Sequence, residues 1–151
     1  MSITSDTRLI ASGSWEHTVR LWDLRTGDTV GNLLWCHGAV CVVAFSPDAR
    51  WLASASTDRS VHVWSVETGQ PSSVNPLRCG FVINAIVFSP NSRMFAAGDI
   101  DGIIHLWQLE YGRTAHTRLS TYKASIRSID FSPDGMHIIM TQFLVKALAI
   151  I

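Results

Sequence analysis

Cysteine and histidine are the residue types of this sequence that could hold a metal ion or supply a nucleophile and its base. The three cysteines, Cys36, Cys41 and Cys79, form no Cys-x-x-Cys pair, which metal and redox sites commonly use. Cys36 and Cys79 lie 43 residues apart, so they could share a metal ion or a disulfide, or they could be two small buried side chains. We favour burial for this pair, and we expect Cys41, which lies in an apolar run, to belong to the core.

The six histidines have no partners at the spacing of metal ligands. His62 and His105 each precede a tryptophan by two residues, and we expect them on a strand face that points away from the tryptophan's neighbours. His37 is interpreted either as a structural histidine displaced by one position or as a surface loop residue. No GxxxxGK[ST], HExxH or GxSxG motif is present. The sequence therefore predicts no metal site, no cofactor and no catalytic activity.

Composition excludes several classes of protein. Twelve Lys and Arg residues balance twelve Asp and Glu residues, so the basic surface of a nucleic-acid-binding or membrane-surface protein is not expected. Hydrophobic residues make up 47% of the chain, too many for a disordered protein. Few cysteines and no visible secretory leader favour an intracellular protein, in the cytoplasm or alternatively the nucleus. The apolar stretch 143–151 contains Lys146 and is shorter than the about 20 residues of a membrane span, so no span is predicted.

The sequence repeats itself with a period of 42 to 43 residues. The tripeptide Phe-Ser-Pro occurs three times, beginning at Phe45 and spaced by 43 residues. Tryptophans that end apolar, β-branched runs recur at Trp22, Trp64 and Trp107. Turn signals such as Ser-Pro-Asp and Thr-Gly separate these runs, and no helical periodicity is present. This pattern predicts an all-β repeat architecture with four short strands per repeat.

The segment from Leu9 to Asp23, LIASGSWEHTVRLWD, closely resembles the WD40 repeat. The observed period is also that of the WD40 family, whose four-stranded blades form a β-propeller. The resemblance implies a partial β-propeller of four-stranded antiparallel WD40 blades, extending to about Thr141. We expect a single domain over 1–151, with a partial blade at 2–35, blades at 36–78 and 79–121, and a partial fourth blade at 122–151.

In this family a hydrogen-bond network joins the Trp to an Asp six residues earlier, a Ser or Thr ten residues earlier, and a His before the blade's first strand. Such a network satisfies the indole N–H of a buried tryptophan. The resemblance assigns one set per repeat: Ser12, Glu16 and Trp22; then Cys36, His37, Ser54, Asp58 and Trp64; then Cys79, Asp101 and Trp107. Because the sets depart from the family pattern, for example with Ala97 at the Ser position, we expect modest stability.

The resemblance also implies a binding surface. In WD40 proteins the turn before the buried Asp faces the top entrance of the propeller, where partners commonly bind. The matching residues are Trp15, Thr57 and Ile100, while Phe81 and Lys123 lie near the loops on the same side. A large aromatic residue in a polar turn, such as Trp15, is typical of a binding hot spot, and the alternative is that it packs against the neighbouring blade.

These patterns predict a non-catalytic scaffold that presents propeller loops to protein or peptide partners. Two alternatives stay open: an enzyme subunit that uses a propeller pocket, and a truncated remnant without function. About three and a half repeats are present and the first begins partway, so we expect a segment of a longer WD40 array or a ring completed by self-association. The stretch 143–151 is interpreted either as a replacement strand for the fourth blade or as the product of a truncated reading frame.

Overall fold

The computed structural model describes residues 1–72, 76–110, 113–120, 124–142 and 146–150. These residues form fifteen β-strands and no helix, arranged in four antiparallel sheets. Sheet A consists of β1 (Ser2–Ile3), β2 (Leu9–Gly13), β3 (Thr18–Asp23) and β4 (Thr29–Trp35). Sheet B consists of β5 (Val40–Phe45), β6 (Trp51–Ser56), β7 (Ser60–Ser65) and β8 (Leu77–Arg78). Sheet C consists of β9 (Ile83–Phe88), β10 (Met94–Asp99), β11 (Ile103–Glu110) and β12 (Arg113–Ser120). Sheet D consists of β13 (Ile126–Phe131), β14 (His137–Gln142) and β15 (Lys146–Ile150).

Each sheet is a meander in which strands that are consecutive in sequence pair with one another. The first strands of successive sheets lie side by side, since β5 contacts β9 and β9 contacts β13. Sheets that are stacked in this way, each beginning at the same inner edge, are the blades of a partial β-propeller. The all-β prediction and the predicted blade architecture are confirmed.

The sheets pack face to face because side chains alternate between the two sides of every strand. We call the side that faces the next sheet along the chain the forward face, and the opposite side the back face. In sheet B, Ala53, Ala55 and Val63 on the forward face pack against sheet C. On its back face, Leu52 and Trp64 pack against sheet A. One apolar cluster of this kind lies between each pair of neighbouring sheets and forms the core.

Glycine occupies positions at which neighbouring sheets approach most closely. A Cβ atom on Gly13 would lie only 2.5 Å from Cγ1 of Val40, the first residue of the next sheet. A Cβ atom on Gly98 would collide in the same way with Ile126, which begins sheet D. Separations this short lie inside van der Waals contact, so these positions of the second strand need a very small residue.

The turn after the first strand of each sheet follows a shared design. In sheet B the hydroxyl of Ser46 donates to Oδ1 of Asp48 at 2.6 Å, and the backbone N–H of Arg50 donates to the same oxygen. Ala49 lies between them in the left-handed region, with φ of 57°. Gly135 takes the equivalent position in sheet D without the steric cost that a side chain adds there.

Cys41 does not belong to the core, so the prediction of burial was wrong. The pairing of β5 with β6 shifts register between Val40 and Val42, which leaves Cys41 in a bulge opposite no residue of β6. The thiol is exposed as a result.

A strand is present within the apolar stretch 143–151. Residues Lys146–Ile150 pair antiparallel with β14, from Thr141 opposite Lys146 to His137 opposite Ile150. This arrangement agrees with the interpretation of the stretch as a replacement strand. In the part of the chain that the structure describes, no helix is long and apolar enough to cross a membrane.

Candidate functional site: the top edge of the sheets

Three short turns lie along one edge of the sheets, which we call the top edge. They connect the second and third strands of sheets A, B and C, at residues 14–17, 57–59 and 100–102. Backbone hydrogen bonds hold them against the connections between sheets, because the N–H of Thr57 donates to Ala39 O and that of Ile100 donates to Val82 O. The top edge is therefore a set of loops fixed to rigid sheets.

Large apolar side chains on the top edge face solvent. Trp15 is 85% exposed, so it does not pack against the described neighbouring sheet. Ile100 is 45% exposed, Phe81 is 39% exposed, and Thr57 is exposed. Lys123, the fifth residue predicted to contact a partner, lies outside the described residues.

Beneath the top edge of sheet B, a hydrogen bond fixes the repeat's tryptophan. Nε1 of Trp64 donates to Oγ of Ser54 at 2.8 Å, and the thiol of Cys36 lies 3.5 Å from the same oxygen. Burial raises the pKa of the Cys36 thiol, so the group remains protonated. The Cys36 thiol therefore packs against the buried hydroxyl of Ser54. It forms no disulfide with Cys79, since both cysteines are free.

Asp58 closes the top turn of sheet B and forms a unit separate from Trp64. Its carboxylate accepts hydrogen bonds from the hydroxyls of Ser56 and Ser60 and from the backbone N–H of Ser60. Oδ2 lies 3.3 Å from Nη1 of Arg78. Burial alone would raise the pKa of Asp58, but the hydrogen bonds from the two serines outweigh it and lower the pKa. The expectation of one continuous network from Asp58 to Trp64 is not met among the described side chains.

His62 forms the middle of an aromatic stack. Its ring centroid lies 5.2 Å from that of Trp64 and 5.9 Å from that of His37. The prediction that His62 points away from the tryptophan was wrong, because residues two apart on a strand share a face. Burial lowers the pKa of His62, and the nearby His37 lowers it further, so the buried ring is neutral. His37 is exposed, in agreement with the surface-loop interpretation, and makes no hydrogen bond to Ser54 or Trp64 among the described residues.

A groove of about 370 Å³ runs beside this stack, between β4 and the segment that follows β7. Its described lining includes His37, His62, Trp35 and Gln70, and contains no carboxylate and no thiol. Over the described residues, no group of three or more His, Cys, Asp or Glu side chains could hold a metal ion. The groove therefore presents histidine rings, neutral polar side chains and apolar surface.

Sheet A forms only part of the hydrogen-bond network that was predicted for Ser12, Glu16 and Trp22. Nε1 of Trp22 donates to Oγ of Ser12 at 2.8 Å, as in sheet B. Glu16 is exposed and its carboxylate accepts no hydrogen bond among the described residues, so its placement in the network was wrong. The extra methylene of glutamate moves the carboxylate away from the turn. As a consequence the buried hydroxyl of Thr18, which corresponds to Ser60 of sheet B, has no partner in the described part of the chain.

Sheet C contains a buried Asp–His pair that sequence reasoning missed. Nε2 of His105 donates to Oδ2 of Asp99 at 3.0 Å, and both side chains are inaccessible to solvent. Oδ1 of Asp99 accepts the backbone N–H groups of Asp101 and Ile103. Burial lowers the pKa of His105, although the hydrogen bond to Asp99 and the charge of Asp99 raise it.

The assignment of Asp101 to the network was therefore wrong, because Asp99 fills the role from the end of β10. The ring of His105 stacks on Trp107, with centroids 5.5 Å apart, so the expectation that it points away was also wrong. Cys79 packs against the apolar cluster between sheets B and C, and burial, with a smaller contribution from the charge of Asp99, raises its pKa to about 12. The missed signal is that Asp99 aligns with Ser56, two positions after Ala97 on the same strand face.

The chain matches the family model described as "WD domain, G-beta repeat" at residues 1–23, 29–65 and 74–108. These stretches cover more than half of the chain. The protein belongs to the WD40 family. The matched stretches contain Trp22, Trp64 and Trp107; the second also includes β4 of sheet A, and the third includes β8 of sheet B. Sheet D lies beyond the last matched stretch.

Proposed function

We propose that this WD40 protein is a non-catalytic scaffold that binds protein or peptide partners through its top edge. WD40 repeats are generally protein-interaction scaffolds. The observation that carries the proposal is Trp15, a large aromatic side chain left 85% exposed at the tip of a hydrogen-bonded turn. Tryptophan is enriched among the residues that contribute most to binding between proteins.

The turn that presents Trp15 is held in place before any partner arrives. The N–H of Ser14 donates to Thr18 O, and the N–H of His17 donates to Ser14 O. The N–H of Glu16 donates to the hydroxyl of Ser14. A side chain on a fixed backbone loses less conformational entropy on binding, so more of its buried area contributes to affinity.

The proposed contact surface extends from Trp15 over Thr57 to Phe81 and Ile100, with Lys123 as a predicted further contact. Its described large side chains are apolar, and polar turn residues surround them. We propose a partner that inserts apolar side chains here. The three cysteines are free thiols, which fits a scaffold that works inside the cell.

The test compares two single variants in quantitative affinity capture. Trp15→Ala removes the proposed anchor, and Met136→Ala removes an equally apolar, 59% exposed side chain from the opposite edge. Both variants are expected to fold as the original chain does, because both side chains are exposed.

The proposal expects at least a tenfold loss of specific captured proteins with Trp15→Ala and no loss with Met136→Ala. Ile100→Ser is expected to weaken the capture of the same proteins. Equal capture by all variants, or a loss confined to Met136→Ala, would contradict a top-edge binding site.

A further inference from the structure

The second strand of each WD40 sheet carries two small residues on its forward face. The pairs are Ala11 and Gly13 in sheet A, Ala53 and Ala55 in sheet B, and Ala96 and Gly98 in sheet C. Each pair faces the first strand of the following sheet. The separation of 2.5 Å between a Cβ on Gly13 and Val40 shows how little space this contact leaves. A small residue at both positions is therefore a condition for stacking the next sheet.

Sheet D breaks this condition at both positions. The equivalent residues of β14 are Ile139 and Thr141, which are much larger than alanine and glycine. Their neighbours on the strand, Ile138 and Met140, are buried against sheet C, so the strand itself is a normal member of the stack. Sheet D therefore differs from the other sheets in the size of the residues on its forward face.

The first strand of sheet D, β13, also differs from the first strand of sheet C on its forward face. Ser128 and Asp130 pair with Thr141 and Ile139, so the four side chains share the forward face. In sheet C the corresponding four residues are Ala85, Val87, Ala96 and Gly98. Burying Asp130 against another sheet would remove a carboxylate from water without a described cationic partner, which is unfavourable.

The back face of sheet A, at the other end of the stack, is apolar and exposed. On the back face of sheet A, Ile3 is 51% exposed and pairs with Ile10, which in turn pairs with Trp22. No sheet lies against this face in the described part of the chain, although the corresponding faces of sheets B, C and D are all covered. If sheet D had a forward face like that of sheet C, two copies of the chain could stack head to tail.

We propose that Ser128, Asp130, Ile139 and Thr141 make the forward face of sheet D a terminal surface that does not accept another blade. These four side chains prevent the sheet A back face of a second copy from stacking there. The chain therefore does not complete a ring by joining sheet D of one copy to sheet A of the next. The proposal concerns assembly and is independent of what binds the top edge.

The experiment exchanges the four residues for those of sheet C. The opened-face variant carries Ser128→Ala, Asp130→Val, Ile139→Ala and Thr141→Gly, and its molar mass is measured by light scattering over a wide range of concentrations. A milder variant carries only Asp130→Val and Ile139→Ala, in case the glycine prevents folding. The matched control adds Ile3→Glu to the original chain and to each variant, which places a charge on the sheet A face that must receive sheet D.

The proposal expects the original chain to keep the mass of one chain, 16.7 kDa, at every concentration. An opened variant that folds is expected to at least double in mass as concentration rises and to return to one chain with Ile3→Glu. Two results would overturn the proposal. One is an original chain that assembles and loses assembly with Ile3→Glu, and the other is a folded milder variant and a folded opened-face variant that both stay at the mass of one chain.

Discussion

The tryptophans of sheet A and sheet B occupy the same repeat position and make the same hydrogen bond, yet their surroundings differ. Trp64 is 5% exposed because sheet A covers the back face of sheet B, whereas Trp22 is only half-buried because no described sheet covers sheet A. Both indoles donate to a serine ten residues earlier at 2.8 Å. The repeat sequence therefore determines the strand and its local hydrogen bond, while the neighbouring sheet determines burial.

The top turns of sheets A, B and C show the same separation between local pattern and context. The carboxylate of Asp58 in sheet B accepts four hydrogen bonds, and Asp99 of sheet C replaces it from a different position with His105 as its partner. Sheet A has Glu16, which reaches neither Ser14 nor Thr18 with its carboxylate. One turn geometry is thus stabilised by two different carboxylates in sheets B and C and, in sheet A, by the hydroxyl of Ser14.

The largest expected difference in stability is between variants that lack Asp99 of sheet C and variants that lack Asp58 of sheet B. Asp99→Ala removes the carboxylate that accepts hydrogen bonds from His105 and two backbone N–H groups, and is expected to lower the free energy of unfolding by about 3–5 kcal/mol. Asp58→Ala, at a side chain that is 20% exposed, should lower it by about 1–2 kcal/mol. Urea denaturation measures both, and an Asp58 effect as large as that of Asp99 would remove the distinction.

A second prediction concerns pH and the two buried histidines. The pKa values of His62 and His105 are lowered in the folded chain by burial, so below about pH 6.5 the unfolded chain binds protons that the folded chain does not. The free energy of unfolding should therefore fall as pH decreases below about 6.5, and these groups contribute no slope above it. A flat profile between pH 7 and about 5 would contradict neutral burial.

A third prediction restores to sheet A the acceptor that sheet B has. Glu16→Asp should place a carboxylate where Thr18 can donate to it, and should raise the free energy of unfolding by about 1 kcal/mol. Glu16→Ala serves as the control and should change it by less than about 0.5 kcal/mol, since the side chain is exposed. Thermal unfolding of both variants checks the comparison. Identical melting temperatures for the two would show that side-chain length is not the cause.

The smallest expected effect lies in the bottom turn of sheet B. Ala49 has φ of 57°, where Gly135 stands in sheet D. Ala49→Gly should raise the free energy of unfolding by about 0.5 kcal/mol, because relief of the left-handed strain slightly exceeds the added entropy of the unfolded chain. Ala49→Val is the opposite test and should destabilise by about 1 kcal/mol. A chain stabilised by valine would contradict the turn geometry.

Much of the fold could be predicted from the sequence, because the period of 42 to 43 residues and the alternation within each strand are local signals. The burial of Trp64 and Trp107 follows from the same pattern. The exposure of Cys41 was not predicted, because a bulge shifts the register by one residue and the composition of β5 does not indicate that shift. Strand periodicity alone could not reveal the shift.

The candidate site was less predictable, since it depends on contacts across strands. Asp99 and His105 come from paired strands, and the family pattern placed the acceptor at Asp101 instead. The stacking of His62 on Trp64 could have been found, because a spacing of two residues puts both side chains on one face. The exposure of Trp15 agrees with its place in a polar turn, whereas the forward face of sheet D depends on the register between β13 and β14.

Trp15 of sheet A serves the surface, whereas the repeat tryptophans Trp22 and Trp64 serve the fold. The most direct measurement is urea denaturation of Trp64→Ala, Trp22→Ala and Trp15→Ala side by side. We expect the free energy of unfolding to fall by about 3–5 kcal/mol for Trp64→Ala, to fall by an intermediate amount for Trp22→Ala, and to change by less than about 0.5 kcal/mol for Trp15→Ala. A Trp64→Ala chain that unfolds like the original, or a Trp15→Ala chain that loses as much as Trp64→Ala, would contradict it.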